Sequence, residues 1–325
     1  MTAASGLRRR GAQRLAEAGI DSAAADAAWL LAHVLGTEPG RLLLIDDVDD
    51  DARRSYESLI ARRAERIPLQ HLTGSAPFAG LDLAVGPGVF IPRPETELLV
   101  EWAVGECAAR PDGPLRVADL CSGSGALALA IATAVPRAAV VAVERSPQAL
   151  EYLRRNVAAQ PESVARRIRV IAGDVTDPAV WERIGECELI VGNPPYVPSA
   201  AEISPEAAHD PAEAVFSGES GMDLIEAVVP LIAAALVPGG GVAVEHDDTT
   251  AAAVVAVFTT DGAFADVRSR TDLAGRPRWV GARKAPERGV AHEETAGSRT
   301  REQPVDTASS GTNVAPEAGV QGWTT

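Results

Sequence analysis

A two-part α/β architecture is expected from three features of the sequence. From residue 95 to residue 283, strand-like apolar runs alternate with helix-like stretches, the pattern of a parallel sheet covered on both faces. Residues 4 to 66 carry helical periodicity throughout. Between the two regions lies a short stretch of two-residue alternation around Gly86-Pro87-Gly88.

Taken in order, Leu7, Leu15 and Ile20, then Ala27, Leu30, Leu31, Val34 and Leu35, recur at helical spacing. Asp21 and Ser22 offer an N-cap before the second helix, and Gly36 a stop after it. Leu59, Ile60 and Ala64 mark a later helix ended by Pro68. A helical domain over residues 1–75 is expected. In residues 76–93, Leu81, Leu83 and Val85 alternate with Asp82 and Ala84, Gly86-Pro87-Gly88 makes a turn, and Val89, Phe90 and Ile91 return. This reads as a β-hairpin linking two domains. The second domain, residues 94–284, contains seven strand-like runs, at 115–120, 139–143, 168–172, 189–191, 241–245, 267–270 and 278–283. Helical stretches stand at 126–134, 147–158, 224–236 and 251–258. The last two strands lack an intervening helix, so one of them is expected to run antiparallel at the sheet edge. Residues 285–325 are rich in Gly, Ser, Thr, Pro and Glu. Such a segment cannot offset its ordering entropy by burial, and it reads as a disordered tail.

The composition narrows the functional classes. The chain has 325 residues, 46% of them hydrophobic and 23% charged, which excludes a wholly disordered protein and suffices for two domains. Thirty basic against forty-five acidic residues give a formal charge of −15. Such a surface repels phosphate backbones, and the run Asp46-Asp47-Val48-Asp49-Asp50-Asp51 adds to the repulsion, so a nucleic-acid partner is not expected. Cys107, Cys121 and Cys187 are scattered without CxxC spacing, which suits a reducing cytoplasm and gives neither a disulfide framework nor a metal site. The longest apolar stretch, 227–237, falls short of the ~18 residues of a membrane span. Arg8, Arg9, Arg10 and Arg14 precede no apolar segment, so no secretory signal is expected. The helix they begin continues straight into apolar periodicity, which argues against a transit peptide.

Two motifs carry the chemistry. Asp119-Leu120-Cys121-Ser122-Gly123-Ser124-Gly125 follows the first sheet strand and opens a helix. Its glycines let backbone approach a ligand closely, at the carboxyl end of a strand where open α/β sheets bind ligands. Gly123, Gly125 and Ala128 also fit the dinucleotide pattern G-x-G-x-x-A. Glu144 ends the second strand and could accept both ribose hydroxyls of NAD or of S-adenosylmethionine. Asp119 discriminates, because a carboxylate is repelled by a pyrophosphate and attracted by an ammonium or sulfonium. Asp174, after the third strand, is placed to meet the adenine end. The bland alternative, three solvated strand-end acids, weakens because all three fall at successive strand ends.

After the fourth strand comes Asn193-Pro194-Pro195-Tyr196. The prolines alone would make a rigid strand end. An Asn and a Pro carbonyl at such a point also make two acceptors for the two N–H groups of a planar amine or amide. Holding that nitrogen in line with a methyl carbon can supply about 7–11 kcal/mol of a bimolecular barrier. Pro195 and Tyr196 would pack on the planar group.

Together these motifs resemble the class I S-adenosylmethionine-dependent methyltransferases, and more closely the protein-(glutamine-N5) methyltransferases that modify peptide chain release factors. The likeness spans roughly residues 5 to 284. It also draws on Phe90-Ile91-Pro92-Arg93-Pro94-Glu95-Thr96-Glu97, on Ser217-Gly218-Glu219-Ser220-Gly221-Met222-Asp223-Leu224 and on Asp272-Leu273-Ala274-Gly275-Arg276. It implies a Rossmann-like seven-stranded methyltransferase sheet and an N-terminal domain that docks the protein substrate. The substrate would be the glutamine of a Gly-Gly-Gln loop in a release factor. By the same likeness, Cys121, Ser122, Gly123, Ser124, Gly125, Glu144 and Asn193 would contact S-adenosylmethionine. Asn193, Pro194, Pro195 and Tyr196 would hold the glutamine amide, and the 90–97 segment would border the cleft. Two departures stand out. Cys121 replaces the family's usual Gly, and after Val244-Glu245-His246 the chain turns acidic at Asp247 and Asp248.

Three other readings stay open at this point. Asn-Pro-Pro-Tyr would also suit adenine N6 or guanine N2 in a nucleic acid, but that needs a basic groove. The G-x-G-x-x-A match would suit an NAD-dependent oxidoreductase, which leaves Asp119 and residues 193–196 unexplained. A non-enzymatic interaction module would need no cofactor constellation. His33 and His71 read as structural. His246, at a strand end, is a weak candidate base, since a methylated amide can lose its proton to solvent.

Overall fold

Helical periodicity becomes helices in the computed structural model, which describes residues 2–286. From residue 287 on, the tail expected over 285–325 lies outside the described residues. Helices α1 (Ala4–Glu17), α2 (Ala23–Val34), α3 (Asp50–Ala64) and α4 (Leu69–Thr73) bury Leu7, Leu15, Leu30, Leu31, Tyr56 and Ile60 in a core of their own. Strands β1 (Thr2–Ala3) and β2 (Asp47–Val48) pair antiparallel beside them. Ser22 occupies the N-cap of α2, but its side chain makes no capping hydrogen bond. The acidic run is helix-start chemistry. Asp49 Oδ1 accepts from the Ala52 N–H at 2.8 Å, and Asp50 and Asp51 sit in the first turn of α3, paired with Arg53 and Arg54. Arg63 is buried. It donates to Asp26 of α2 at 2.7 Å and to Glu206 at 3.1 Å, tying α2, α3 and the loop near residue 206 together.

The hairpin differs from the expected pairing. Its strands are β3 (Ser75–Phe78) and β4 (Leu81–Ala84), closed by Ala79-Gly80 with φ of 47° and 77°. Two consecutive positive φ values suit a two-residue hairpin turn. The segment after Gly86-Pro87-Gly88 is irregular rather than a return strand. Pro77 obscured the first strand. It is exposed there, on an edge where a missing N–H is tolerated.

The rest of the chain alternates as expected. Its elements are α5 (Glu97–Ala108), β5 (Leu115–Leu120), α6 (Ala126–Ala134), β6 (Ala138–Glu144), α7 (Pro147–Ala158), α8 (Glu162–Ala165) and β7 (Ile168–Ala172). There follow α9 (Pro178–Ile184), β8 (Cys187–Gly192), α10 (Ala212–Val215), α11 (Asp223–Ala235), β9 (Leu236–Glu245), α12 (Ala251–Asp261), β10 (Phe264–Thr271) and β11 (Pro277–Lys284). Sequence reading passed over α9, which is too short to show periodicity. Its signals are local: Asp177 caps the Ala179 N–H and Pro178 opens the helix.

Seven strands form one sheet in the order β10-β11-β9-β8-β5-β6-β7. The five from β9 to β7 are parallel. The antiparallel strand is β11, and it is not at the edge. Helix α12 carries the chain past β9 to a mostly exposed edge strand, β10, and β11 turns back into the gap, burying Trp279 and Val280. Both sheet faces are covered. Val117 and Val140 pack with Leu99 and Ile131 on one side, whereas Ala118, Val141 and Ile190 pack with Ile225 and Phe258 on the other. Strand β5 is followed by β6 on one flank, and the chain later returns on its other flank as β8. The carboxyl ends of β5 and β8 therefore bound the topological switch point, where such sheets open a crevice.

Candidate active site

A cleft of about 920 Å3, counted to its open mouth, occupies that crevice. The glycine loop supplies Asp119, Cys121, Ser122, Gly123 and Ser124 to its lining; β6 and β7 contribute Glu144 and Asp174, and β8 leads to Asn193 and Pro195. Phe90, Pro92 and Thr96 line it as well. Gly125, Pro194 and Tyr196 do not. Gly125 starts α6 at a φ of 88°, where an added Cβ would lie 2.5 Å from a Leu153 methyl. Its role is to let α6 pack on α7.

Asp119 is fully buried. Its Oδ2 accepts from the Ala128 N–H at 3.1 Å, and its Oδ1 has no hydrogen-bond partner among the described residues. Burial pushes its carboxyl up to about 7, with the neighbouring Glu144 charge adding to it and the Ala128 N–H opposing it; the Ser122 hydroxyl donates instead to the Asp119 main-chain carbonyl at 2.9 Å. Glu144 is also buried, yet its oxygens are engaged. Oε1 accepts from the N–H groups of Arg145 (2.8 Å) and Ser146 (2.7 Å), and Oε2 from that of Gly123 (2.8 Å). The carboxylate thus clamps the glycine loop to the end of β6 and keeps one lone pair of Oε2 for a ligand. Asp174 accepts from the Thr176 N–H at 2.9 Å and hydroxyl at 2.8 Å and pairs with Arg145 at 3.2 Å. Burial raises its carboxyl, but those bonds outweigh burial and the net shift is downward.

Cys121 adopts a φ of 58°, in the left-handed region. That explains why glycine suits this position and why a cysteine is strained there. Burial raises its thiol far above the usual range, so it stays protonated. Asn156, which sequence reading passed over, stitches the neighbourhood together. Its Oδ1 accepts from the Ala84 N–H at 2.8 Å, and its Nδ2 donates to Ala84 O at 3.0 Å and Ser124 O at 2.9 Å.

The Asn-Pro-Pro-Tyr loop is supported from behind. Asn193 Nδ2 donates to Thr96 Oγ1 at 3.2 Å. Thr96 Oγ1 donates to Glu245 Oε2, and Tyr196 Oη to Glu245 Oε1, both at 2.8 Å. Gly221, at a φ of 79°, lies so close that a Cβ there would stand 2.3 Å from the Tyr196 carbonyl; this is the place of the 217–224 motif in the site. Arg93 pairs with Asp210, whose other oxygen accepts from the Ile91 N–H at 3.2 Å, fixing the 90–97 segment at the cleft mouth. Asp272 lies in the turn between β10 and β11. Its carboxyl is held down to about 2 by the Arg276 N–H, with Arg278 and the Ala274 N–H assisting. That motif is structural. His246 is buried outside the cleft lining, with its imidazole lowered by burial, and does not stand where a base would. Thr96 and Glu245 entered the sequence reading only as members of the 90–97 and 244–246 stretches, with no role of their own. A Glu closing an apolar strand was the available signal.

Comparison with known proteins supplies the family. Residues 6–74 match the family model described as the PrmC N-terminal domain, and residues 96–210 the one described as the methyltransferase small domain. A release factor glutamine methyltransferase of Mycolicibacterium smegmatis is 52% identical over 270 residues, covering 82% of this chain and 93% of that protein. Counterparts from Streptomyces coelicolor and Deinococcus radiodurans are 45% and 40% identical, each covering 84% of this chain and 95% of the relative. Among solved structures, the release factor-specific protein-(glutamine-N5) methyltransferase of Alicyclobacillus acidocaldarius aligns at 27% identity and a TM-score of 0.39, over 62% of this chain and 99% of that one. Methyltransferases of this family use S-adenosylmethionine as methyl donor, which sets aside the oxidoreductase reading of the glycine pattern. On the sequence relatives, the chain belongs to the release factor glutamine methyltransferase family.

Proposed function

We propose that this protein transfers a methyl group from S-adenosylmethionine to the side-chain N5 of a glutamine, in the Gly-Gly-Gln loop of a peptide chain release factor. The observation that carries the reading is the sharing of one cleft by Asp119, Glu144 and Asn193. A donor-binding half and an amide-holding half thereby open on the same space.

The residues fit the donor. Asp119 Oδ1, buried and unpartnered among the described residues, is a place for a cation and a poor neighbour for a pyrophosphate. The remaining Oε2 lone pair of Glu144 would take a ribose hydroxyl, and Asp174 borders the space for the base. When bound, the donor supplies an electrophilic methyl carbon on a positively charged sulfur.

The chain's own residues do the rest. Asn193 and Pro195 line the cleft. Asn193 Oδ1 would accept one amide N–H and the Pro194 carbonyl beside it the other, which raises electron density on a nitrogen whose lone pair is otherwise delocalised. Pro195 would restrict the plane of the amide, with Tyr196 bracing the loop through Glu245. With the donor bound, this nitrogen would take the methyl carbon as its bond to sulfur breaks, and the extra proton would leave to solvent. Positioning of this kind is worth about 7–11 kcal/mol.

Among the described residues no helix is long and apolar enough to cross a membrane, and a translation factor as substrate fits a cytoplasmic location. The −15 charge supports a protein rather than a nucleic-acid substrate. Mass spectrometry of release factors incubated with the protein and labelled S-adenosylmethionine tests the reading. A methyl on the Gly-Gly-Gln glutamine is expected; a methyl elsewhere, or on nucleic acid only, overturns it.

A further inference from the structure

We infer that Glu245, acting through Thr96, is the positioning residue that decides which end of the Asn193 carboxamide faces the substrate. The inference rests on the glutamine-amide reading above and explains how this chain presents an acceptor to that amide.

Glu245 closes β9 beside β8, and both it and Thr96 are almost wholly buried. Its two oxygens each receive one hydroxyl, from Thr96 and from Tyr196. Among the described residues no Lys or Arg pairs with it; Arg278, the nearby cation, is held by Asp272 at 3.0 Å. An ionised carboxylate can only accept hydrogen bonds. The Tyr196 phenol is kept protonated by burial and by Glu245 itself. Both hydroxyls must therefore donate. Thr96 has one proton and spends it on Glu245, so towards Asn193 its oxygen can only accept. Asn193, 3.2 Å away, must offer Nδ2, and Oδ1 is left as the acceptor on the other side. A flipped Asn193 would set its NH2 against the substrate NH2, donor against donor.

One feature supports a functional purpose. A buried carboxylate without a paired cation is unfavourable, and packing alone would be served by a neutral side chain. Charge is what makes the group acceptor-only.

Protonation would reverse the chain of donors. A neutral Glu245 could donate to Thr96, Thr96 could donate to Asn193, and the amide would turn. The groups facing Glu245 are Thr96 and Tyr196, which favour ionisation by hydrogen bonding, Arg278, which favours it by charge, and Glu95, which opposes it. Burial dominates and raises its carboxyl to about 7. Turnover should therefore fall on the acid side.

The test is kcat, KM and donor affinity by calorimetry for wild type, Thr96→Ser, Thr96→Val and Glu245→Gln, between pH 6 and 8.5 at saturating donor. Saturation keeps titration of Asp119 out of kcat. We expect Thr96→Val to lose at least tenfold in kcat, to keep donor affinity within twofold and to show a flattened acid limb. Thr96→Ser should retain at least a third of kcat and the limb, and Glu245→Gln should lose both. Turnover of Thr96→Val within twofold of wild type, an unchanged limb in that variant, Thr96→Ser as impaired as Thr96→Val, or donor affinity falling in parallel each overturns the inference. A wild-type protein that leaves the glutamine unmethylated overturns the glutamine-amide reading and this inference with it. Methylation by wild type with no effect of Thr96→Val overturns this inference alone.

Discussion

Donor binding is expected to be coupled to a proton at Asp119. The carboxyl is fully buried, Oδ1 is unpartnered among the described residues, and burial raises it to about 7. A cation brought against it favours the ionised form, so binding below pH 7 must release the proton. About one molecule in eleven is ionised at pH 6 and about half at pH 7. Affinity should therefore tighten about fivefold over that single pH unit, close to 1 kcal/mol. A free α-ammonium stays charged throughout this window, since its pKa is about 7.7–8.0, so the change belongs to the protein. Calorimetry at both pH values, in two buffers of different ionisation enthalpy, reads the affinity and the proton together. Asp119→Asn keeps the size and the acceptor for the Ala128 N–H but cannot titrate. It should bind more weakly, by about 1.5–3 kcal/mol for a charged hydrogen bond, and with no pH dependence.

The sign for the unliganded protein is opposite. Asp119 is raised above its unfolded value near 4, so the folded state holds more protons between about pH 4 and 7. Its contribution to stability is full below that window and is lost as pH rises through it. Bound donor should reverse the trend. An affinity that stays within twofold between pH 6 and pH 7, with no proton released, would refute the placement of a cation at Asp119.

Three further substitutions test the framework. Glu144→Ala strands the N–H groups of Gly123, Arg145 and Ser146; it should weaken donor binding at least tenfold and also destabilise by about 2 kcal/mol, and an unaltered melting temperature counts against the clamp. Cys121→Gly removes a side chain at φ 58°, relieving about 1–2 kcal/mol of strain against about 0.5–1 kcal/mol of added chain entropy. Urea unfolding should show slight stabilisation, and a clear loss would mean that thiol packing outweighs strain. Asn156→Ala breaks three hydrogen bonds joining β4, α7 and the glycine loop. It should cost about 2–3 kcal/mol, read as a lower urea midpoint at unchanged slope.

Much of this architecture was legible because it is periodic. Apolar strand runs and amphipathic helices announce themselves, and the seven strands stand where alternation places them. What escaped was local or long-range. Helix α9 has seven residues and shows itself only through Asp177 and Pro178. The hairpin turn at Ala79-Gly80 was overshadowed by the stronger signal of Gly86-Pro87-Gly88, and Pro77 disguised its first strand. The insertion of β11 between β9 and β10 is a packing outcome, because nothing in either strand's own composition names its neighbour. At the site, Asp119, Glu144 and Asn193 were visible as strand-end polar residues. Thr96 and Glu245 were visible only as members of longer stretches, and their roles were not, because their partners lie 97 and 49 residues away along the chain. Glu144 was visible but incompletely understood, since the backbone donors that occupy it come from the loop's own conformation.

Strand register explains how the two halves of the site meet. In β5 and β8, Asp119 lies opposite Val191, and Leu120 opposite Gly192. The residues that follow, Cys121 and Asn193, therefore leave the sheet at the same level on adjacent strands, about 4.8 Å apart in backbone terms. The glycine loop then turns toward β6, where the Ser122 N–H bonds to Val143 O at 2.9 Å and the Gly123 N–H to Glu144. The prolines carry the other loop forward, with Asn193 tied back to Thr96. The carboxylates Asp119 and Glu144 close β5 and β6, whereas the loop after β8 offers neutral acceptors. On the proposed reading that difference would match the two ligands, since a cation needs charge opposite it, whereas an amide about to become a nucleophile needs acceptors that do not neutralise the donor's charge. A slip of one residue between β5 and β8 would exchange the faces of the sheet on which their side chains stand relative to each other, so the pairing that builds the core also sets how Asp119 and Asn193 stand to one another.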